Sequence, residues 1–169
     1  INTTGGWKNI SCNTHCMAVK RDGTLWGWGQ NSAGEIMNGT TAVATTPRQI
    51  GTVSDYVDVV AGTNFSLALR SDGSLFGAGF NVNKVLSSAS NTSFITPIQV
   101  APQKTWKAIT SGKESVTALA TDGTLWSWGR NDYGQLGLAN NVQTNTPQQI
   151  GSSNLWTEVV GDGYSLWGK

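Results

Sequence analysis

Reactive side chains are scarce in this sequence. Among 169 residues there is one histidine, His15, with two cysteines and ten acids. A lone imidazole cannot build a histidine-rich metal centre. Two thiols cannot build a disulfide scaffold, and even with His15 they fall short of the four ligands typical of structural zinc. Charge is equally thin: 12% of residues are charged and the formal net charge is +1. That argues against a polybasic face for nucleic acid or for a membrane surface. No apolar run reaches the roughly 18 residues of a membrane-spanning helix, and no segment sustains the 3.6-residue apolar period of a surface helix. The chain opens at Ile1 without a charged-then-apolar leader, and we expect it to belong to a longer polypeptide.

Glycine and tryptophan are abundant instead, at 21 and eight residues. Rigid aromatics with Gly, Ser, Thr and Asn suit short strands joined by turns. One word recurs at a fixed interval: Asp22-Gly23-Thr24-Leu25-Trp26, Asp72-Gly73-Ser74-Leu75-Phe76 and Asp122-Gly123-Thr124-Leu125-Trp126, both gaps being 50 residues. Thr46-Pro47, Thr96-Pro97 and Thr146-Pro147 keep the same spacing. Trp7, Tyr56, Trp106 and Trp156 form a further column with single-residue slips. Self-similarity at this period marks stacked repeat units, none of which buries its apolar face alone.

Within a unit the residues read as four strands. Tyr56 to Ala61 is apolar and stops at Gly62. Phe65 to Arg70 alternates into Ser71-Asp72-Gly73, and Asp-Gly between such runs predicts a type I′ hairpin turn. Ser74 to Gly79 returns, and Pro97 to Val100 makes an edge strand where proline is tolerated. The fold class is therefore all-β, with four-stranded antiparallel propeller blades in about three and a third repeats: 7–55, 56–105, 106–155 and a partial 156–169. We expect the paired rings Trp26/Trp28 and Trp126/Trp128 to lie against glycine-lined grooves of neighbouring blades. The contact should be thinner in the middle unit, where Phe76 and Ala78 replace the pair. Cys12 aligns with Gly62 and Gly112 while Cys16 lies on a strand. Both read as ordinary structural thiols, with a disulfide across a tight turn and a small metal site as the alternatives.

The stretch Leu125-Trp126-Ser127-Trp128-Gly129-Arg130-Asn131-Asp132-Tyr133-Gly134-Gln135-Leu136-Gly137 resembles the signature of the regulator of chromosome condensation repeats. Trp26 to Glu35 is similar, with Ile36-Met37 in place of Leu-Gly. The middle unit, Gly79 to Leu86, keeps Asn81 and loses the glycines. His15 fills a place after the turn where family units often carry histidine. The resemblance implies blades of a seven-bladed propeller. Its relatives include an exchange factor for a small nuclear GTPase, secreted β-lactamase inhibitors and propellers of ubiquitin ligases. None of these roles maps onto particular residues here.

Three blades cannot close a ring. An uncovered blade face of roughly 600 Å² forfeits on the order of 15 kcal/mol, comparable with the ~5–15 kcal/mol of a whole domain. Further blades from the same longer chain, or from other copies, are therefore expected as partners. Asp22, Asp72 and Asp122 serve turns, and the remaining acids do not converge. We expect no enzyme, no catalytic residue, no cofactor and no metal. The expected role is a protein-interaction or structural scaffold, with an extracellular or virion-surface setting favoured by composition. The alternative is an inhibitor or regulator that offers its loops to an enzyme or small GTPase. No nucleic acid and no membrane insertion are expected. Structural needs predict sameness among units, so a partner-binding site belongs where one unit departs. That places it at Phe80, Asn81, Val82, Lys84 and Phe94.

Overall fold

Fourteen short strands follow one another in a computed structural model of the chain, which describes residues 6–90 and 92–161 and the backbone of 166–168. The first sheet holds β1 (Trp7–Cys12), β2 (His15–Lys20), β3 (Leu25–Gly29) and β4 (Ala44–Ile50). The second holds β5 (Tyr56–Ala61), β6 (Phe65–Arg70), β7 (Leu75–Gly79) and β8 (Phe94–Val100). The third holds β9 (Trp106–Ser111), β10 (Ser115–Ala120), β11 (Leu125–Gly129) and β12 (Thr144–Gln149). A hairpin of β13 (Val159–Gly161) and β14 (Leu166–Gly168) follows. Every pairing is antiparallel and between sequence neighbours. No helix occurs among the described residues. The first strands of successive sheets touch, β1 to β5, β5 to β9 and β9 to β13. They therefore line the inner edge of an arc, and the fourth strands form its outer edge.

The hairpin word explains much of this stacking. Gly23, Gly73 and Gly123 have φ of +80°, +82° and +81°, a conformation glycine adopts without penalty. The preceding aspartates stay at negative φ, so the turn is a type I turn closed by a glycine bulge and not the expected type I′. The reason lies in the side chain. Asp22 Oδ1 accepts from the Thr24 amide at 3.0 Å and its hydroxyl at 2.6 Å, and Asp72 does the same with Ser74 at 2.8 and 2.6 Å. Each turn glycine then offers its carbonyl to the first aromatic of the next sheet. Tyr56, Trp106 and Trp156 donate their amides to Gly23, Gly73 and Gly123 at 3.1, 2.9 and 3.2 Å. The 50-residue period in the sequence is thus a period in inter-blade hydrogen bonds.

The apolar cores lie between sheets. Met17, Val19, Leu25, Ile36 and Ile50 form the forward face of the first blade and meet Tyr56, Val59, Ala68 and Ala78 on the rear face of the second. Leu67, Leu69, Leu75, Leu86 and Val100 meet Trp106, Val116, Ala118 and Trp128 at the next junction. Leu119 and Leu125 meet Val159, with Ile150 and Trp156 packed alongside. Each Val, Leu, Ile or Met among these contributes ~1.5–3 kcal/mol when fully buried. Stability therefore resides in the junctions.

Two expectations need correction. Gly27 and Gly77 do not receive a neighbour's ring: a Cβ there would strike Ile36 and Met17, or Leu86 and Leu67, all of the same blade. The glycines make room for each blade's own returning loop. Trp128 reaches across the junction differently, donating Nε1–H to the Val85 carbonyl at 2.8 Å. The second correction concerns the cysteines, which form a disulfide. Cys12 on β1 and Cys16 on β2 are register partners with Cα atoms 4.1 Å apart, and neither thiol is free.

Candidate functional site

An asparagine stands at the same place in each blade, and its side chain builds the long loop between the third and fourth strands. Asn31 donates to the Thr40 and Ala42 carbonyls at 2.9 and 3.1 Å while its Oδ1 accepts the Ile36 amide at 2.9 Å. Asn131 repeats this with Asn140, Val142 and Leu136. Asn81 follows suit, donating to Ser87 and Ser90 at 2.9 and 2.6 Å and accepting from Leu86 at 2.8 Å. All three are fully buried. A buried amide with its donors and acceptors satisfied fixes a loop at the cost of no orphaned polar group.

The other residues singled out in the middle unit divide around that staple. Phe80 is 40% exposed and Val82 49%. Phe80 adjoins a shallow recess against Asn64, Asn83, Lys113 and Glu114. Lys84 takes φ +58°, and its Nζ donates to the Ser88 carbonyl at 3.2 Å. Phe94 is half-buried, pairs with Gly79 in the sheet and packs into both inter-blade cores. The structure thus brings Phe80, Val82 and Lys84 to the surface of one loop and keeps Asn81 and Phe94 inside. Next door, Arg130 pairs with Glu114 at 2.6 Å and with Asp132 at 2.7 Å, beside Tyr133, which is 85% exposed.

A contact that no motif in the sequence marks joins the first two blades. His15 Nε2 lies 2.6 Å from Ser66 Oγ, 51 residues away, with both residues buried. In an open cleft this pair would be a hydroxyl nucleophile beside its base. Here no substrate can reach the hydroxyl, and the pair acts as a polar pin across the junction. Burial pushes the imidazole pKa down to about 4. Aligned residues Phe65 and Ser115 occupy the His15 place in the other blades, so the pin could be found only by superposing units. Asp58 is a second polar link: its Oδ1 accepts from Asn9 Nδ2 at 2.8 Å, and burial raises its pKa. Among the described residues no group of three or more potential metal ligands occurs, and no helix is long and apolar enough to cross a membrane.

Family models of the regulator of chromosome condensation repeat match residues 22–69 and 122–163, and a second such model matches 56–84 and 106–135. The chain belongs to this repeat family. Among solved structures, yeast RCC1 (Prp20) bound to Kap60 is similar with a TM-score of 0.82, 22% identity and 96% of this chain covered. Human WBSCR16 gives 0.80, 20% and 92%. Prp20p from Saccharomyces cerevisiae, described with its binding to Gsp1p and histones, gives 0.76, 22% and 87%. At these identities the likeness establishes the fold. The chain spans 39–42% of the length of these three family propellers. No curated protein sequence matches it.

Proposed function

We propose that the chain is a non-catalytic protein-interaction module of this repeat family that binds a protein partner through the departing loop of its second blade. One observation supports the reading above all. Phe80 and Val82 stand exposed on a loop that the buried Asn81 holds in shape, and exposed aromatic and aliphatic groups on a rigid scaffold are what interfaces use. An extracellular or virion-surface setting accords with the Cys12–Cys16 disulfide, since disulfides persist in oxidising compartments. The Asn38-Gly39-Thr40 and Asn91-Thr92-Ser93 triplets fit the same setting where the source glycosylates its secreted proteins.

The second reading, a regulator of an enzyme or small GTPase, draws on Prp20p, whose description includes binding to Gsp1p. Affinity capture with the purified chain tests both. Phe80→Ala combined with Lys84→Ala is expected to abolish capture of the partner at unchanged melting temperature. Capture that survives the double change would overturn the site. One dominant stoichiometric enzyme or GTPase in the eluate favours the regulator, whereas incorporation into a large particle favours the scaffold.

A further inference from the structure

The two junctions between complete blades differ in their polar links, His15 to Ser66 at the first and Trp128 to Val85 at the second, and also at their outer rim. At the first junction the loop of blade one is sealed onto β8. Gly34, at φ +85°, lies so close to Ile95 that a Cβ would stand 2.5 Å from the Ile95 Cα, and the Gly39 amide donates to the Ile95 carbonyl at 2.9 Å. At the second junction Lys84 occupies the Gly34 place, also with positive φ. A lysine cannot allow that approach. The Ala89 amide, aligned with Gly39, bonds to Ser87 Oγ at 3.2 Å within its own loop. The loop closes on itself, and a groove of about 240 Å³ opens between it and the residues around Asn145.

The groove has a definite chemistry. Val85, Val100 and Trp128 form an apolar floor, and Lys84, Gln99 and Asn145 stand among the residues around it. Side-chain amides both donate and accept, as the main chain of an extended peptide does. Beside the groove runs the Gln99–Val100 end of β8, the outermost strand of its sheet; its outer edge pairs with no strand among the described residues, and the loop of blade one covers only its other end, at Ile95. A strand edge of this kind is a template for peptide addition. The Lys84 ammonium touches a backbone carbonyl and pairs with no carboxylate among the described residues. Two residues of the groove, Lys84 at φ +58° and Ala101 at +48°, hold left-handed conformations where the aligned positions carry glycine. Such conformations are strained in residues other than glycine and cluster at functional sites.

We infer that this groove docks an extended, acidic segment of a partner protein, with a carboxylate on Lys84. This rests on the interaction role proposed above and names the chemistry of the partner at that loop.

The test uses a fluorescein-labelled decapeptide of alternating threonine and glutamate, with glutamine and lysine versions as controls. The glutamate peptide is expected to bind saturably and to shift the Trp128 indole resonance. Lys84→Glu should weaken it by about tenfold or more and admit the lysine peptide. Lys84→Gly should also weaken binding while raising the melting temperature, because glycine relieves the left-handed backbone. Absence of saturable binding, equal binding of the lysine peptide to the unaltered chain, or indifference to Lys84 would overturn the inference. If partner capture through Phe80 persists while the decapeptide fails, the groove assignment falls and the interaction role stands. If capture is lost too, the role itself falls.

Discussion

His15 carries a titration with a predictable sign. Its folded pKa of about 4 lies below its ordinary 6.5, so the unfolded chain binds the proton more readily. Stability is fully present above pH 6.5 and declines as pH falls toward 4, by about 3 kcal/mol in all. Urea midpoints taken from pH 7 to 4.5 should track this loss. The loss should be absent in His15→Gln, which keeps the pin to Ser66; an unchanged slope in that variant would remove His15 as the cause. Asn81→Ala tests the staple reading against a contact reading. Three or more hydrogen bonds vanish from a buried position, so destabilisation of about 2 kcal/mol or more is expected. A variant that lost partner capture at full stability would restore Asn81 as a contact residue. The asparagine column is visible in the sequence at its 50-residue spacing, yet its role was not, because a staple and a binding residue look alike until burial is known. The disulfide stood only as an alternative to free thiols for a related reason. Alignment of Cys12 with Gly62 and Gly112 points to a turn, and only the strand register places it opposite Cys16.

At the level of the strand pair, the Asp-Gly word serves two purposes at once. It reverses the chain, and it hands a carbonyl to the next blade. A Cβ on Gly123 would run into the Asn154 carbonyl, at a backbone φ of +81°. Gly123→Ala should therefore cost about 2–4 kcal/mol, read by chemical denaturation. A cost below 1 kcal/mol would mean that the turn is not pressed against its neighbour. The four strands of each unit were legible because alternation, Asp-Gly turns and an edge proline all point the same way. The direction in which each face packs was not. Gly27 and Gly77 could serve a neighbour's ring or the blade's own loop, and the choice depends on where Ile36 and Leu86 return. The Lys84 substitution was visible as a break in pattern, but the groove it opens depends on the missing approach to Asn145.

Across the whole molecule, no described residue packs over the rear face of the first blade. Trp7, Trp26 and Trp28 cluster there, with centroids 5.8 and 6.0 Å from Trp7, and Lys20 Nζ sits 3.7 Å over the Trp26 ring. These rings are half-buried, whereas Trp106 and Trp128 at the same places in the third blade are sealed beneath the second. The isolated chain is therefore expected to self-associate at micromolar concentration, read by light scattering, and Trp7→Gln with Trp26→Gln should return it to a monomer. A stable monomer before any change would count against the open-face account. The repeat period foretold this face, because each unit offers a rear side that a preceding unit would cover.

The stacking of forward face on rear face is tested most directly by nuclear magnetic resonance at the Trp128 indole N–H. Its bond to the Val85 carbonyl spans 43 residues and exists only if the third blade covers the second. Slow hydrogen exchange at that proton, with through-space contacts to Val85 and Leu86 protons, is the predicted result. Rapid exchange with no contact to the second blade would contradict the account.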